Sequence, residues 1–163
     1  MDIKKIYEYA LQREYEGKNF FEENAKRLSH ASAVEVFKLL AGEEQKHIHF
    51  IQQQLDLLEN AESSSDSGKP ELEDSSYFMK RATSEFIEQT TSEAMVPDLP
   101  VFRMAYLIER DFAEFYESAA SQATGDAKKV LETLAYWERK HESLFKELHD
   151  KAFEEYSGMP WGG

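Results

Sequence analysis

Two Glu-x-x-His sequences occur in the chain, Glu44/His47 and Glu138/His141. Spacing i, i+3 puts both side chains on one helix face, so a single helix offers a carboxylate and an imidazole together. That pair is a donor set for a metal ion. With 24 Glu and 5 His in the chain, chance alone gives about 0.7 such matches, so one match means little. The two share something chance does not supply: they sit at the same place in an internal repeat.

Shifting the first helical segment by 95 lays Ala10, Glu14, Phe20, Glu22 and Ala25 on Ala105, Glu109, Phe115, Glu117 and Ala120. Shifting the second by 94 lays Val36, Leu40, Ala41, Glu44, Lys46 and His47 on Val130, Leu134, Ala135, Glu138, Lys140 and His141. The one-residue difference fits a second turn one residue shorter. Such a repeat predicts an approximate two-fold axis along the centre of the molecule.

The elements that must position these residues are helices. Apolar residues recur three or four apart in four segments, and each stripe contains a glutamate. The first holds Ile3, Ile6, Ala10, Glu14, Gly17, Phe21, Ala25 and Leu28, and the second holds Val34, Phe37, Leu40, Glu44, His47, Ile51, Leu55 and Leu58. The third, over about 101–123, holds Phe102, Ala105, Glu109, Phe112, Tyr116 and Ala120. The fourth holds Ala127, Val130, Leu134, Glu138, His141, Phe145, Leu148 and Ala152, with Asp126 as its expected N-cap. The expected architecture is all-α. It is a four-helix bundle of two antiparallel hairpins, about 2–60 and 101–156, within a domain over 1–157. A crossover over about 61–100 joins them, with a Ser-rich loop and an additional helix over 71–96. The tail 158–163 is expected to fray.

Depth supports convergence. Glu14 and Glu44 lie about 24 and 21 Å from the first turn, and Glu109 and Glu138 about 22 and 21 Å from the second. Four glutamates and two histidines therefore meet in one mid-bundle layer. Four carboxylates in a dry core without cations would repel one another and destabilise the fold by several kcal/mol. Two divalent cations balance them, with one imidazole per ion. Such oxygen-rich ligand sets suit iron or manganese rather than structural zinc.

The remaining chemistry is bounded by composition. The net charge of −13 argues against nucleic acid and anionic membranes as partners. Cysteine is absent, which excludes thiolate metal sites, disulfides and thiol nucleophiles. No apolar run approaches the roughly 20 residues of a membrane span, and the charged start does not read as a secretory signal. The expectation is a cytoplasmic protein.

A lone Glu on helices one and three, with Glu-x-x-His on helices two and four, resembles the di-iron carboxylate site of the ferritin-like superfamily. Ala10-x-x-x-Glu14-x-x-Gly17-x-x-Phe20-Phe21, its copy Ala105-x-x-x-Glu109-x-x-Phe112-x-x-Phe115-Tyr116, and Ala41-Gly-Glu-Glu-Gln-Lys-His47 resemble the rubrerythrin branch. The resemblance covers both hairpins. It implies two Fe ions (Mn as the other candidate), with Glu14 and Glu109 as ligands and Glu44 and Glu138 as bridging or terminal carboxylates. It also implies His47 and His141 as one imidazole per iron. The implied activity is a di-iron oxidoreductase acting on O2 or H2O2, with a separate electron donor. Its alternatives are an iron-binding, sensing or storage protein without turnover, and a metal-free helical interaction module. A homodimer is expected, with Tyr9 and Tyr15 exposed.

Two departures accompany the resemblance. Without cysteine there is no rubredoxin-like domain, and Phe112 stands where rubrerythrins carry a further iron-binding Glu one turn after the helix-three ligand. Around the ligands, Tyr116 is a candidate to hydrogen-bond a ligand carboxylate or relay an electron, beside plain core packing. Glu43 is rejected as a ligand because its repeat partner is Trp137, itself read as interface or core packing. Glu16 and Asp111 read as solvated, Glu22 and Glu117 as surface or outer positions, and His30, His49 and His149 as surface or turn residues.

Overall fold

The computed structural model of this chain describes residues 2–61 and 98–160. Among these residues there are four helices and no strand: α1 (Ile3–Ala25), α2 (Ala31–Ala61), α3 (Leu99–Gln122) and α4 (Gly125–Gly158). The expected loop and additional helix between 62 and 96 lie outside the described residues. The expected all-α bundle of two hairpins is what forms, α1 packing along α2 and α3 along α4.

Local chemistry sets the helix ends. Asp2 caps α1 by accepting from the Lys5 N–H at 3.2 Å. Pro100 lies in the first turn of α3, where a missing N–H breaks no helical hydrogen bond. The N-cap position of α4 is Thr124, whose side chain makes no capping hydrogen bond, and not Asp126 as expected. The reason is Gly125, which takes φ +61° and closes a turn of two residues. Asp126 falls instead in the first helical turn, where it favours the positive helix end and pairs with Lys129 at 3.0 Å.

Two apolar clusters fill the bundle, one on each side of the charged layer. One joins Phe21, Phe37 and Leu40 from the turn end of the first hairpin to Phe102, Phe145 and Leu148 from the open end of the second. The other joins Tyr7, Phe50 and Ile51 to Tyr116, Leu131 and Leu134. Each fully buried Phe or Leu stabilises the fold by about 1.5–3 kcal/mol relative to exposure. In the first cluster Phe21 stacks on Phe145 at 5.5 Å, and Phe37 meets Phe145 edge-on at 5.4 Å.

This pairing of turn end with open end corrects the expected symmetry. The two turns lie at opposite ends of the bundle, so the approximate two-fold axis runs across the helices through the charged layer, not along the centre. α2 and α3 therefore run parallel, with the end of α2 and the start of α3 at opposite ends of the bundle, an arrangement that requires a long connection. Its far end is held in place by buried Asp98, whose carboxylate accepts from the Ser29 N–H and Oγ (3.0 and 2.9 Å) and the His30 N–H (3.1 Å).

Candidate metal centre

Each helix brings its stripe glutamate inward at mid-height. Glu14, Glu44, Glu109 and Glu138 are fully buried, and His47 and His141 are nearly so. Ligand atoms of Glu14, Glu44, His47 and Glu138 lie within 4.8 Å of one another, as do those of Glu44, Glu109, Glu138 and His141. The six residues singled out in the sequence are thus brought together, and Glu44 and Glu138 belong to both groups. Sharing follows from the transverse two-fold axis, which sets symmetry-equivalent residues face to face. The His47 and His141 rings stack at 5.4 Å for the same reason.

The buried carboxylates and imidazoles of the layer set one another's protonation. His47 Nδ1 hydrogen-bonds Glu14 at 3.2 Å and lies 3.2 Å from Glu44 and 2.9 Å from Glu138. His141 Nδ1 lies 3.4–3.5 Å from Glu44, Glu109 and Glu138. Burial, with the Glu138 and Glu44 charges, pushes the Glu14 carboxyl well above the usual carboxylate range. Burial also raises Glu109, outweighing the His141 charge beside it. Burial opposes ionisation of Glu44 and Glu138 too, but the His47 charge helps hold both below the usual range. Burial would lower both histidines, but the carboxylates around them keep them raised.

These residues fit a pair of metal ions. Both carboxylate oxygens of Glu44, Glu109 and Glu138, and Nδ1 of His141, are buried without a hydrogen-bond partner. Buried polar atoms are normally paired, and a cation among them removes the deficit. The donor set, oxygen-rich with one nitrogen per group, matches a redox-active first-row metal better than structural zinc.

Tyr116 and Trp137 contact ligand side chains, with further aromatic residues behind them. Tyr116 is buried and donates a hydrogen bond from Oη to Glu14. Trp137, half-buried, stacks on His47 with ring centroids 4.9 Å apart, and Phe50 meets its other region edge-on at 5.4 Å. Phe112 packs toward Gly17, with Arg13 over its ring at 4.8 Å.

The other sequence candidates fall outside the cluster. Glu43 is buried but turns to Lys46 at 2.7 Å. Glu16 and Asp111 are exposed. Glu22 and Glu117 form outer ion pairs with Lys18 (3.6 Å) and Arg139 (2.7 Å). His49 is exposed and His149 half-buried. His30 is in the turn as expected, yet buried rather than at the surface, because Asp98 closes over that turn. Trp137 packs against the second apolar cluster, as its core-packing reading expected, and the sequence reading missed only its stacking on His47. The signal was its place opposite Glu43 in the repeat, an aromatic ring replacing a charge one residue before a ligand.

A family model described as Rubrerythrin matches residues 5–149. No curated protein and no solved structure matches the chain.

Proposed function

The chain belongs to the rubrerythrin family, with the ferritin-like bundle that family implies, and from this we propose that it is a di-iron oxidoreductase acting on O2 or H2O2. The observation that carries the reading is the pair of overlapping ligand groups, each with its own Glu and His and both with Glu44 and Glu138. Glu14 and His47 would hold one iron, Glu109 and His141 the other, with Glu44 and Glu138 between them. Two bound irons supply a pair of one-electron steps to a small oxidant. The protein's part is positioning: Tyr116 fixes Glu14, Trp137 covers His47, and the apolar clusters on either side exclude water.

Reducing equivalents come from a separate donor, since the chain has no cysteine to hold an iron of its own. The working form in this reading is a cytoplasmic homodimer. The exposed Tyr9 and Tyr15 of α1 support the dimer. No helix among the described residues is long and apolar enough to cross a membrane.

The test is metal content by mass spectrometry on anaerobically purified protein, beside the Glu44→Ala/Glu138→Ala variant. About two irons per chain, lost in the variant, is the expected result. Stopped-flow oxidation by O2 and by H2O2, followed by repeated turnover with a reductant, then separates catalysis from iron binding alone. Wild-type protein that stays metal-free after iron loading would overturn the reading.

A further inference from the structure

The repeat makes the two metal positions equivalent in their ligands, but two side chains that contact those ligands break that equivalence, and both do so on the same side. The symmetry partner of Tyr116 is Phe21, which has no hydroxyl and packs instead against Phe37 and Phe145. The symmetry partner of Trp137 is Glu43, which has no ring and pairs with Lys46. Tyr116 bonds Glu14 and Trp137 stacks on His47, so both departures serve the position formed by Glu14 and His47.

The consequence is visible in the hydrogen bonding. Glu14 and His47 are bonded to each other, Glu14 is held by Tyr116, and His47 lies between the rings of Trp137 and His141, each tilted 13° from it. Glu109 has no hydrogen-bond partner on either oxygen, and His141 Nδ1 has none. One position has its ligands oriented before an ion arrives. The other keeps Glu109 and His141 Nδ1 3.4 Å apart, without an outer side chain holding either.

We propose that the two metal positions differ in affinity, the Glu14/His47 position filling first and holding its ion more tightly, with Tyr116 and Trp137 as the positioning residues responsible. The inference rests on the two-metal reading above. Outer partners that orient metal ligands contribute about 10- to 100-fold in affinity, enough to resolve two steps.

Anaerobic Fe(II) titration of the metal-free full chain by calorimetry tests it. Wild type should show two steps at least about tenfold apart. Glu14→Ala should abolish the tight step and Glu109→Ala the weak one. Tyr116→Phe and Trp137→Leu should each weaken the tight step by about 10- to 100-fold while leaving the weak step, and Trp137→Phe should restore much of the loss. Helicity by circular dichroism checks that each variant is folded. Two steps of equal affinity, or a tight step lost in Glu109→Ala and kept in Glu14→Ala, would overturn the proposal. A single ion, lost in Glu14→Ala and kept in Glu109→Ala, would remove the two-metal reading and with it the difference in affinity. No binding at all would remove both.

Discussion

Gly17 and Phe112 are equivalent positions of the repeat, and they face each other beside the carboxylate layer. A Cβ added at Gly17 would lie 3.0 Å from Cε2 of Phe112 and 3.9 Å from Cδ of Glu44. A glycine in mid-helix weakens α1, and here the cost admits a large ring from the opposite hairpin. The ring occupies the place where the family resemblance leads one to expect a fifth carboxylate. The candidate ligand set therefore stays at four Glu and two His, with an apolar wall next to Glu44.

Gly17→Ala should destabilise the metal-free protein by about 1 kcal/mol, because overpacking at about 1–3 kcal/mol exceeds the helix gain of about 0.5–1 kcal/mol. Urea unfolding measures this. In Gly17→Ala/Phe112→Leu the smaller side chain relieves the contact, giving a coupling above about 0.5 kcal/mol in a double-mutant cycle. Additive effects would mean that the ring does not press on this position.

Glu44 and Glu138 belong to both ligand groups. Glu44→Ala alone, or Glu138→Ala alone, should therefore lower metal content from two ions toward none. Removing Glu14 or Glu109 should leave about one ion per chain. Metal analysis on the four purified single variants makes the comparison. Equal losses across all four would contradict the shared role.

Metal affinity should rise with pH. Glu14 and Glu109 have raised carboxyl groups, and both site histidines are raised, so the metal-free layer holds protons that bound ions displace. Binding then releases protons, and lowering the pH from about 7.5 to about 6 weakens it through competition. Calorimetry in two buffers of different ionisation enthalpy counts the released protons. A count of zero would contradict this protonation state.

Asp98→Ala should cost about 1–3 kcal/mol, since it strips the Ser29 and His30 N–H groups of their acceptor. Asp98→Asn, which keeps one acceptor oxygen, should lose less. Metal stoichiometry should not change in either variant, because Asp98 lies at the end of the bundle rather than in the ligand layer. Thermal unfolding of metal-free and loaded protein checks both statements.

Much of this centre was legible in the sequence because its determinants are local. Helical period places Glu14, Glu44, Glu109 and Glu138 on apolar stripes, and the i, i+3 spacing places His47 and His141 beside two of them. Rise per residue then brings all six to one height. The repeat doubles each of these signals. Local residue type was less reliable at helix ends: Asp126 is a good capping residue, yet the positive φ of Gly125 moved the cap to Thr124.

What the tertiary structure decided concerns distances between hairpins. Periodicity orients a side chain about its own helix axis and says nothing of the azimuth or direction of the neighbouring hairpin. The two turns could lie at the same or opposite ends. Packing the aromatic cluster of Phe21, Phe37, Phe102 and Phe145 sets them at opposite ends. That choice turns the two-fold axis across the bundle and makes Glu44 and Glu138 common to both ligand groups. It also brings Asp98 onto Ser29, 69 residues away, Trp137 onto His47 and Tyr116 onto Glu14. The sequence by itself determined which residues meet in the charged layer; only the docking of one hairpin on the other decided which of them belong to both candidate ligand groups and which are touched by Tyr116 and Trp137.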